Sequence, residues 1–179
     1  YPYPAEHMIS SDFFFTHPNQ FYDFYFHEMI YPQAKPNAAH IALAELEKMG
    51  ICKAVITQNI DGLHQAAGSQ NVLELHGSVH RNRCLNCHTQ YDLAAMLNQK
   101  DRVPKCSKCG HIIKPEVVLY QEALDQSVIQ SAVSHIQSAD TLIVGGTSLQ
   151  VYPAAGLIQY FRGAQLILIN KSVTDMDSK

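Results

Sequence analysis

Along residues 1–50 the apolar positions change character twice. The stretch "DFFFTHPNQFYDFYFHEMIYP" places aromatics at 21, 22, 24, 25 and 26. That spacing covers most of a helix circumference, so the segment must be largely buried or line a cavity. Asp12 or Ser11 is a candidate cap for one helix and Asn19 for another, with Pro18 as the break between them. In "KPNAAHIALAELEKMG" the apolar positions 38, 41, 42, 46 and 49 follow Pro and Asn and stop at Gly50, which predicts an amphipathic helix.

Beyond Gly50 the helical period gives way to short apolar runs. "KAVIT" (53–57), "NVLEL" (71–75), "TLIVG" (141–145) and "LILIN" (166–170) are apolar on alternate and intervening positions alike. Such runs predict strands covered on both faces, as in a parallel sheet. Residues 122–138 and 153–162 read as helices, the second with Pro153 in its first turn. The predicted class is α/β: a Rossmann-like parallel sheet with helices on both faces, plus a small module described below.

Each strand ends in chemistry. "KAVIT" runs into Gln58-Asn59-Ile60-Asp61-Gly62, and "VLEL" into His76-Gly77-Ser78. "LIVG" runs into Gly146-Thr147-Ser148, and "LILI" into Asn170-Lys171-Ser172. Any one of these is an ordinary cap or turn. Four together at the carboxyl ends of parallel strands predict a ligand crevice.

Composition narrows this picture. The chain has 179 residues, 46% of them apolar and 16% charged, which supplies a core and argues against disorder. A formal net charge of −3 offers no basic footprint for nucleic acid or an anionic membrane, and no apolar run reaches a membrane span. Four of the five cysteines form Cys84-x-x-Cys87 and Cys106-x-x-Cys109, followed by Gly110. Two such knuckles hold one tetrahedral zinc ion, and four thiolates leave no open coordination position. The ion is therefore structural, one per chain. His76, His80, His88 and His111 are not needed as ligands, which leaves His76 for chemistry or packing. Cys52 reads as a small buried hydrophobe. Reduced thiols in this pattern predict a reducing, cytoplasmic setting.

The strings "PNAAH" (36–40), "TQNIDGLH" (57–64), "LHG" (75–77), the two Cys-x-x-Cys pairs, "GTSLQVYP" (146–153) and "INKS" (169–172) occur in one order along the chain. In that order they resemble the sirtuins, the NAD-dependent protein lysine deacylases. The resemblance implies an NAD-binding domain from 1–79 and 114–179, including the aromatic helical segment 1–32, and a zinc module over 80–113. It implies NAD as co-substrate, and removal of acyl groups from protein lysines to give nicotinamide and O-acyl-ADP-ribose. His76 matches the catalytic base. Gln58, Asn59 and Asp61 match the nicotinamide and ribose contacts. Gly146, Thr147, Ser148, Asn170 and Lys171 match positions around the phosphates and adenosine. The acyl-lysine partner is expected to pair with an extended segment in "PEVVLYQE" through Val117, Val118 and Tyr120.

This chain departs from the family in three places. Tyr120-Gln121-Glu122 stands where the family usually has Phe-Gly-Glu, and Gln removes backbone freedom that Gly would give. The aromatic helix carries Tyr22 and Tyr25 but no Arg, whereas sirtuins that prefer acidic acyl groups resemble one another in a Tyr followed three residues later by Arg. An uncharged acyl group is therefore expected. The family's opening strand, Gly-Ala-Gly-x-Ser loop and Gly-Ile-Pro-Asp-Phe-Arg stretch do not occur between Tyr1 and Lys179, and a further strand is expected after Lys179. The expectation is that these residues belong to a longer protein or do not turn over NAD. Two other readings share the motifs: a non-catalytic zinc-containing module that binds peptide or nucleotide, and ADP-ribosyl transfer from the same site.

Overall fold

The computed structural model describes residues 1–148 and 150–171. The chain divides into two compact units, Tyr1–Leu124 and Asp125–Lys179.

The first unit opens with three short helices, α1 (Ala5–Met8), α2 (Ser11–Thr16) and α3 (Pro18–Phe24), and a π-helical turn, Tyr25–Met29. The cap of α2 is Ser10 rather than Ser11 or Asp12: Ser10 is extended, and its hydroxyl accepts the Phe13 N–H at 3.2 Å. Pro18 starts α3 rather than only separating helices, because a first-turn proline loses no intrahelical bond. Asn19 consequently lies inside α3.

The aromatic run forms the centre of the core. Phe13, Phe14, Phe21, Tyr22, Tyr25 and Phe26 pack with Val79, Met96, Ile113, Val117 and Leu119 in one buried cluster. The Tyr22 hydroxyl donates to the Ile113 carbonyl and so finds a partner inside that cluster. Burial pushes the phenols of both Tyr22 and Tyr25 above their ordinary range.

Helix α4 (Ala38–Lys48) forms where it is predicted, but it buries Ala44 rather than the expected face: of the predicted apolar positions only Leu46 is half-buried, and Ile41 and Met49 are 51% and 69% exposed. Its capping box is unusual in using histidine: the Asn37 side chain accepts from the Ala39 and His40 N–H groups, and His40 Nδ1 accepts the Asn37 N–H at 3.2 Å. Strand β1 (Val55–Thr57) then pairs in parallel with β2 (Val72–Glu74), and α5 (Leu63–Ala66) lies between them in sequence. The antiparallel sheet that follows has the order β4-β3-β5, from β3 (Gly77–Cys84), β4 (Gln90–Tyr91) and β5 (Ile113–Val117). Between β4 and β5, α6 (Leu93–Leu97) sends the wholly buried Met96 into the aromatic core.

Gly77 is fixed by two constraints at once. Its φ is +75°, and a Cβ there would lie 1.9 Å from the Glu116 carbonyl oxygen across the β3–β5 pair. Neither a left-handed backbone nor a clash with main chain can be relieved by a rotamer change. Gly77→Ala is expected to lower stability by about 3 kcal/mol or more, read from the urea unfolding midpoint; a shift below about 1 kcal/mol would contradict this packing.

The second unit holds α7 (Gln126–Ser138), β6 (Thr141–Gly145), a 3-10 helix (Ala154–Tyr160) and β7 (Gln165–Ile169). Helix α7 begins later than residue 122 because Asp125 caps it, accepting the Ser127 N–H at 2.8 Å. The predicted helix at 153–162 is a 3-10 helix, with Pro153 as its N-cap. Strands β6 and β7 pair in parallel, from Thr141↔Gln165 to Gly145↔Ile169. They are more open than their apolar sequence predicted, with Ile143 49% and Ile169 61% exposed. A sheet of two strands has too few neighbours to cover both of its faces.

Candidate active site and zinc centre

The cysteine cluster follows from two tight turns. Cys84 ends β3, and the chain returns at His88, whose N–H donates to the Cys84 carbonyl at 3.1 Å. In the second knuckle Gly110 donates to the Cys106 carbonyl at 2.9 Å with φ +75°, the turn that a glycine there permits. All four Sγ atoms lie within 4.8 Å of one another, with Cys84–Cys109 at 3.4 Å and Cys87–Cys106 at 3.5 Å. A tetrahedron with zinc–sulfur bonds of about 2.3 Å has edges of about 3.8 Å, so the donor set fits zinc. The Tyr91 hydroxyl donates to Cys106 Sγ at 3.1 Å and brings that thiol down to about 6, whereas burial pushes the Cys84 thiol up to about 11. The three nearby histidines do not belong to this cluster. His80 Nε2 donates to the Asp61 carbonyl at 3.0 Å, and His111 Nδ1 to the Cys109 carbonyl at 3.1 Å.

His76 stands between β2 and β3, half-buried. Its Nδ1 lies 3.1 Å from the Gln58 carbonyl oxygen. A carbonyl only accepts, so Nδ1 carries the proton and Nε2 keeps its lone pair. Burial lowers the imidazole pKa, partly offset by the Gln58 bond, so the ring is neutral at neutral pH. The fold thus supplies a base with one defined nitrogen free.

The residues after β1 are placed by local bonds. The Asn59 N–H donates to Thr57 Oγ1 at 3.1 Å, and the Leu63 N–H donates to Asp61 Oδ1 at 2.9 Å. Gly62, at φ +72°, turns the chain into α5 and leaves room for the His80 ring, which a Cβ would approach to 2.8 Å. Asp61 therefore also does the turn-residue work that its position alone suggested.

The segment after β5 is tied directly to the histidine. The Val118 N–H donates to the His76 carbonyl at 2.9 Å. Val117 is buried in the core, Val118 is half-buried and Tyr120 is 44% exposed. Lys114 and Glu122 brace the segment from beneath. Lys114 Nζ donates to Glu122 Oε2 at 3.0 Å and to the Val117 carbonyl at 3.2 Å, while the Leu119 N–H donates to Glu122 Oε2 at 2.9 Å. Sequence reasoning missed this pair, whose members are separated by a turn rather than by a helical or strand period.

In the second unit, Gly146 follows β6 with φ +63°, and its N–H donates to the Ile169 carbonyl at 3.1 Å. Asn170 Nδ2 donates to the Thr147 carbonyl, joining the ends of β6 and β7. Ser148 and Lys171 are exposed beside them. Ser172 lies outside the described residues.

Comparison with known proteins converges on one family. The sequence pattern of the Sir2 family matches residues 3–153. An NAD-dependent protein deacetylase of Clostridium acetobutylicum is 58% identical over 179 residues, 100% of this chain and 73% of that protein. The NAD-dependent protein deacetylase of Clostridium perfringens is 61% identical over 178 residues, 99% of this chain and 72% of that protein. A solved structure of Sir2 with a p53 peptide and NAD+ superposes with a TM-score of 0.88 at 41% identity, covering 99% of this chain and 76% of that one. The Rossmann-like α/β fold with a four-cysteine module agrees with these structures. With motifs, fold and identity in accord over nearly its whole length, the chain belongs to the Sir2 family.

Proposed function

We propose that this chain catalyses NAD-dependent deacylation of protein lysines, releasing nicotinamide and transferring the acyl group to ADP-ribose. The observation that carries the reading is the His76 tautomer, fixed by Gln58, with a neutral ring and a free Nε2 at a strand end. Close relatives that carry the name NAD-dependent protein deacetylase support it.

The donor set suits the cofactor. Amide and carboxylate groups of Gln58, Asn59 and Asp61 would hold the nicotinamide and its ribose. Gly146, Thr147, Ser148, Asn170 and Lys171 would meet the phosphates and adenosine, offering backbone, hydroxyl, amide and ammonium groups of the kind anionic ligands take. NAD, when bound, would supply an electrophilic ribose carbon that gains a bond to the acyl oxygen as its bond to nicotinamide breaks, with one water consumed in releasing the free lysine. His76 then removes a ribose hydroxyl proton at Nε2, while Nδ1 stays on the Gln58 carbonyl and prevents the ring from turning. Val118 and Tyr120 would orient the acyl-lysine peptide, Val118 as a backbone partner and Tyr120 as an aromatic wall. Val117 contributes through its backbone alone, because its side chain fills the core. Residues 1–79 and 114–179 would form the NAD-binding part and 80–113 the zinc module.

The acyl group is uncharged in this reading. Lys114, whose ammonium lies 5.9 Å from the Phe14 ring centroid, is already neutralised by Glu122. No helix of the described residues is long and apolar enough to cross a membrane. The thiol pattern favours a reducing compartment such as the cytoplasm.

The test is incubation with NAD and an acetyl-lysine peptide, following nicotinamide and free lysine together. Equal amounts of the two are expected, with slower turnover of a succinyl-lysine peptide. Nicotinamide without free lysine would instead indicate ADP-ribosyl transfer, and no nicotinamide would leave a binding module.

A further inference from the structure

Gln121 is a residue in an expensive conformation with an explanation 109 positions away. Its φ is +75°, a left-handed backbone that glutamine adopts only when surroundings impose it. The surroundings are Asp12, in the first turn of α2. The Asp12 N–H donates to Gln121 Oε1 at 3.0 Å, and Gln121 Nε2 donates to Asp12 Oδ2 at 3.0 Å. Both ends of one amide are thus used on one partner, which fixes the side chain in position and rotation. The neighbouring backbone repeats the connection. The Tyr120 N–H donates to the Ile9 carbonyl and the Ser11 N–H to the Tyr120 carbonyl, each at 3.0 Å.

The pair is exposed to solvent. A cleft of about 410 Å³ runs beside it, lined by Pro4, Glu6, His7, Ser10 and Tyr120. Tyr120 is held between two fixed points, the Ile9–Ser11 backbone that it bridges and the Gln121 turn, so the direction of its exposed ring depends on both. From the other side, Val118 is bonded to His76. A glycine at 121 could take the same turn without strain but would bring no bond to α2.

We propose that Asp12 and Gln121 form a positioning latch that sets the Tyr120 ring and the 118–120 backbone for an acyl-lysine peptide. The inference rests on the reading of 117–120 as the peptide-binding segment. Gln121 acts through Tyr120 and is a positioning residue, not a catalytic one. The latch exists before peptide arrives and persists through the reaction, so its contribution is uniform binding: it lowers the peptide KM and leaves kcat alone.

Steady-state kinetics of the full chain with NAD and an acetyl-lysine peptide test this, together with peptide binding by fluorescence anisotropy. Gln121→Ala is expected to raise the peptide KM about tenfold, with kcat within about twofold and the KM for NAD unchanged. Gln121→Gly, which removes the strain as well as the latch, is expected to match Gln121→Ala. If Gly restores the wild-type peptide KM, the pair merely accommodates strain and the proposal falls. Asp12→Asn retains an acceptor and is expected to keep the wild-type KM. Asp12→Ala is expected to add nothing to Gln121→Ala in the double variant, and additive effects would overturn the pairing. Thermal midpoints identify any variant that loses KM through unfolding. Peptide binding without turnover would count against the deacylase reading while leaving the latch standing. Equal peptide affinity of wild type and Gln121→Ala would sink the latch.

Discussion

His76→Ala should abolish most acetyl-lysine turnover, by about 10²–10⁴-fold in kcat, the range over which a positioned general base contributes. The structure gives reasons for a value in that range rather than a partial loss. The Nδ1 proton is committed to the Gln58 carbonyl, so Nε2 is the nitrogen that can accept, and no rotation exchanges them without breaking that bond. Burial holds the pKa below the usual imidazole value, which keeps the base unprotonated at neutral pH. The sign follows for the pH profile. Activity requires the neutral ring, so kcat/KM should be flat near neutrality and fall on the acid side, at a pH below that of an exposed histidine. His76→Ala should remove that acid limb as well as lowering the plateau. A variant that releases nicotinamide as fast as wild type, with the limb intact, would mean that another group is the base.

The position of this histidine is legible in the sequence, and the orientation of its ring is not. An apolar run ending in His76-Gly77 places the residue at a strand end by period alone. The tautomer depends on the Gln58 carbonyl, which a loop from a different strand delivers. The same division recurs elsewhere. Strand β6 occupies the predicted residues 141–145, because a β-branched run between polar neighbours has few alternatives. Helix α7 was predicted to begin at 122 and begins at 126, because Glu122 serves Lys114 and Leu119 instead of a first helical turn. The π-helical turn Tyr25–Met29 left no periodic signature, since the aromatics around it face in every direction. The four cysteines were readable from spacing because both knuckles are local. The Asp12–Gln121 contact was unreadable because no local pattern links residues so far apart. Contacts within a few residues or one strand period are written in the sequence, whereas those between elements appear only when the fold brings them together.

Removing zinc should cost as much as the first unit has to lose. Structural zinc in small peptides contributes about 10–16 kcal/mol, comparable with the about 5–15 kcal/mol that holds an ordinary domain folded. Here the cysteines are not on a separate appendage. Cys84 and Cys106 belong to the same buried cluster as Phe13, Phe21, Tyr22 and Tyr25, and Ile113, just past the second knuckle, accepts the Tyr22 hydroxyl. Freed from the ion, four thiols at contact distance would repel as they ionise, and β5 would lose the anchor that leads into Val117 and Val118. Chelation should therefore release one zinc per chain and collapse the near-ultraviolet circular dichroism of the buried tyrosines, reversibly on adding zinc. Cys84→Ser should lower the thermal midpoint with no rescue by the metal. Unchanged circular dichroism in a zinc-free protein would show that the aromatic core needs no metal. The closed coordination shell adds a separate expectation. With four thiolates in place, no ligand position is left for water or substrate, so exchange for cobalt should give a tetrahedral thiolate spectrum while kcat stays within about twofold of the zinc protein. A large change in kcat on that exchange would place the metal in the chemistry and move the catalytic role away from His76.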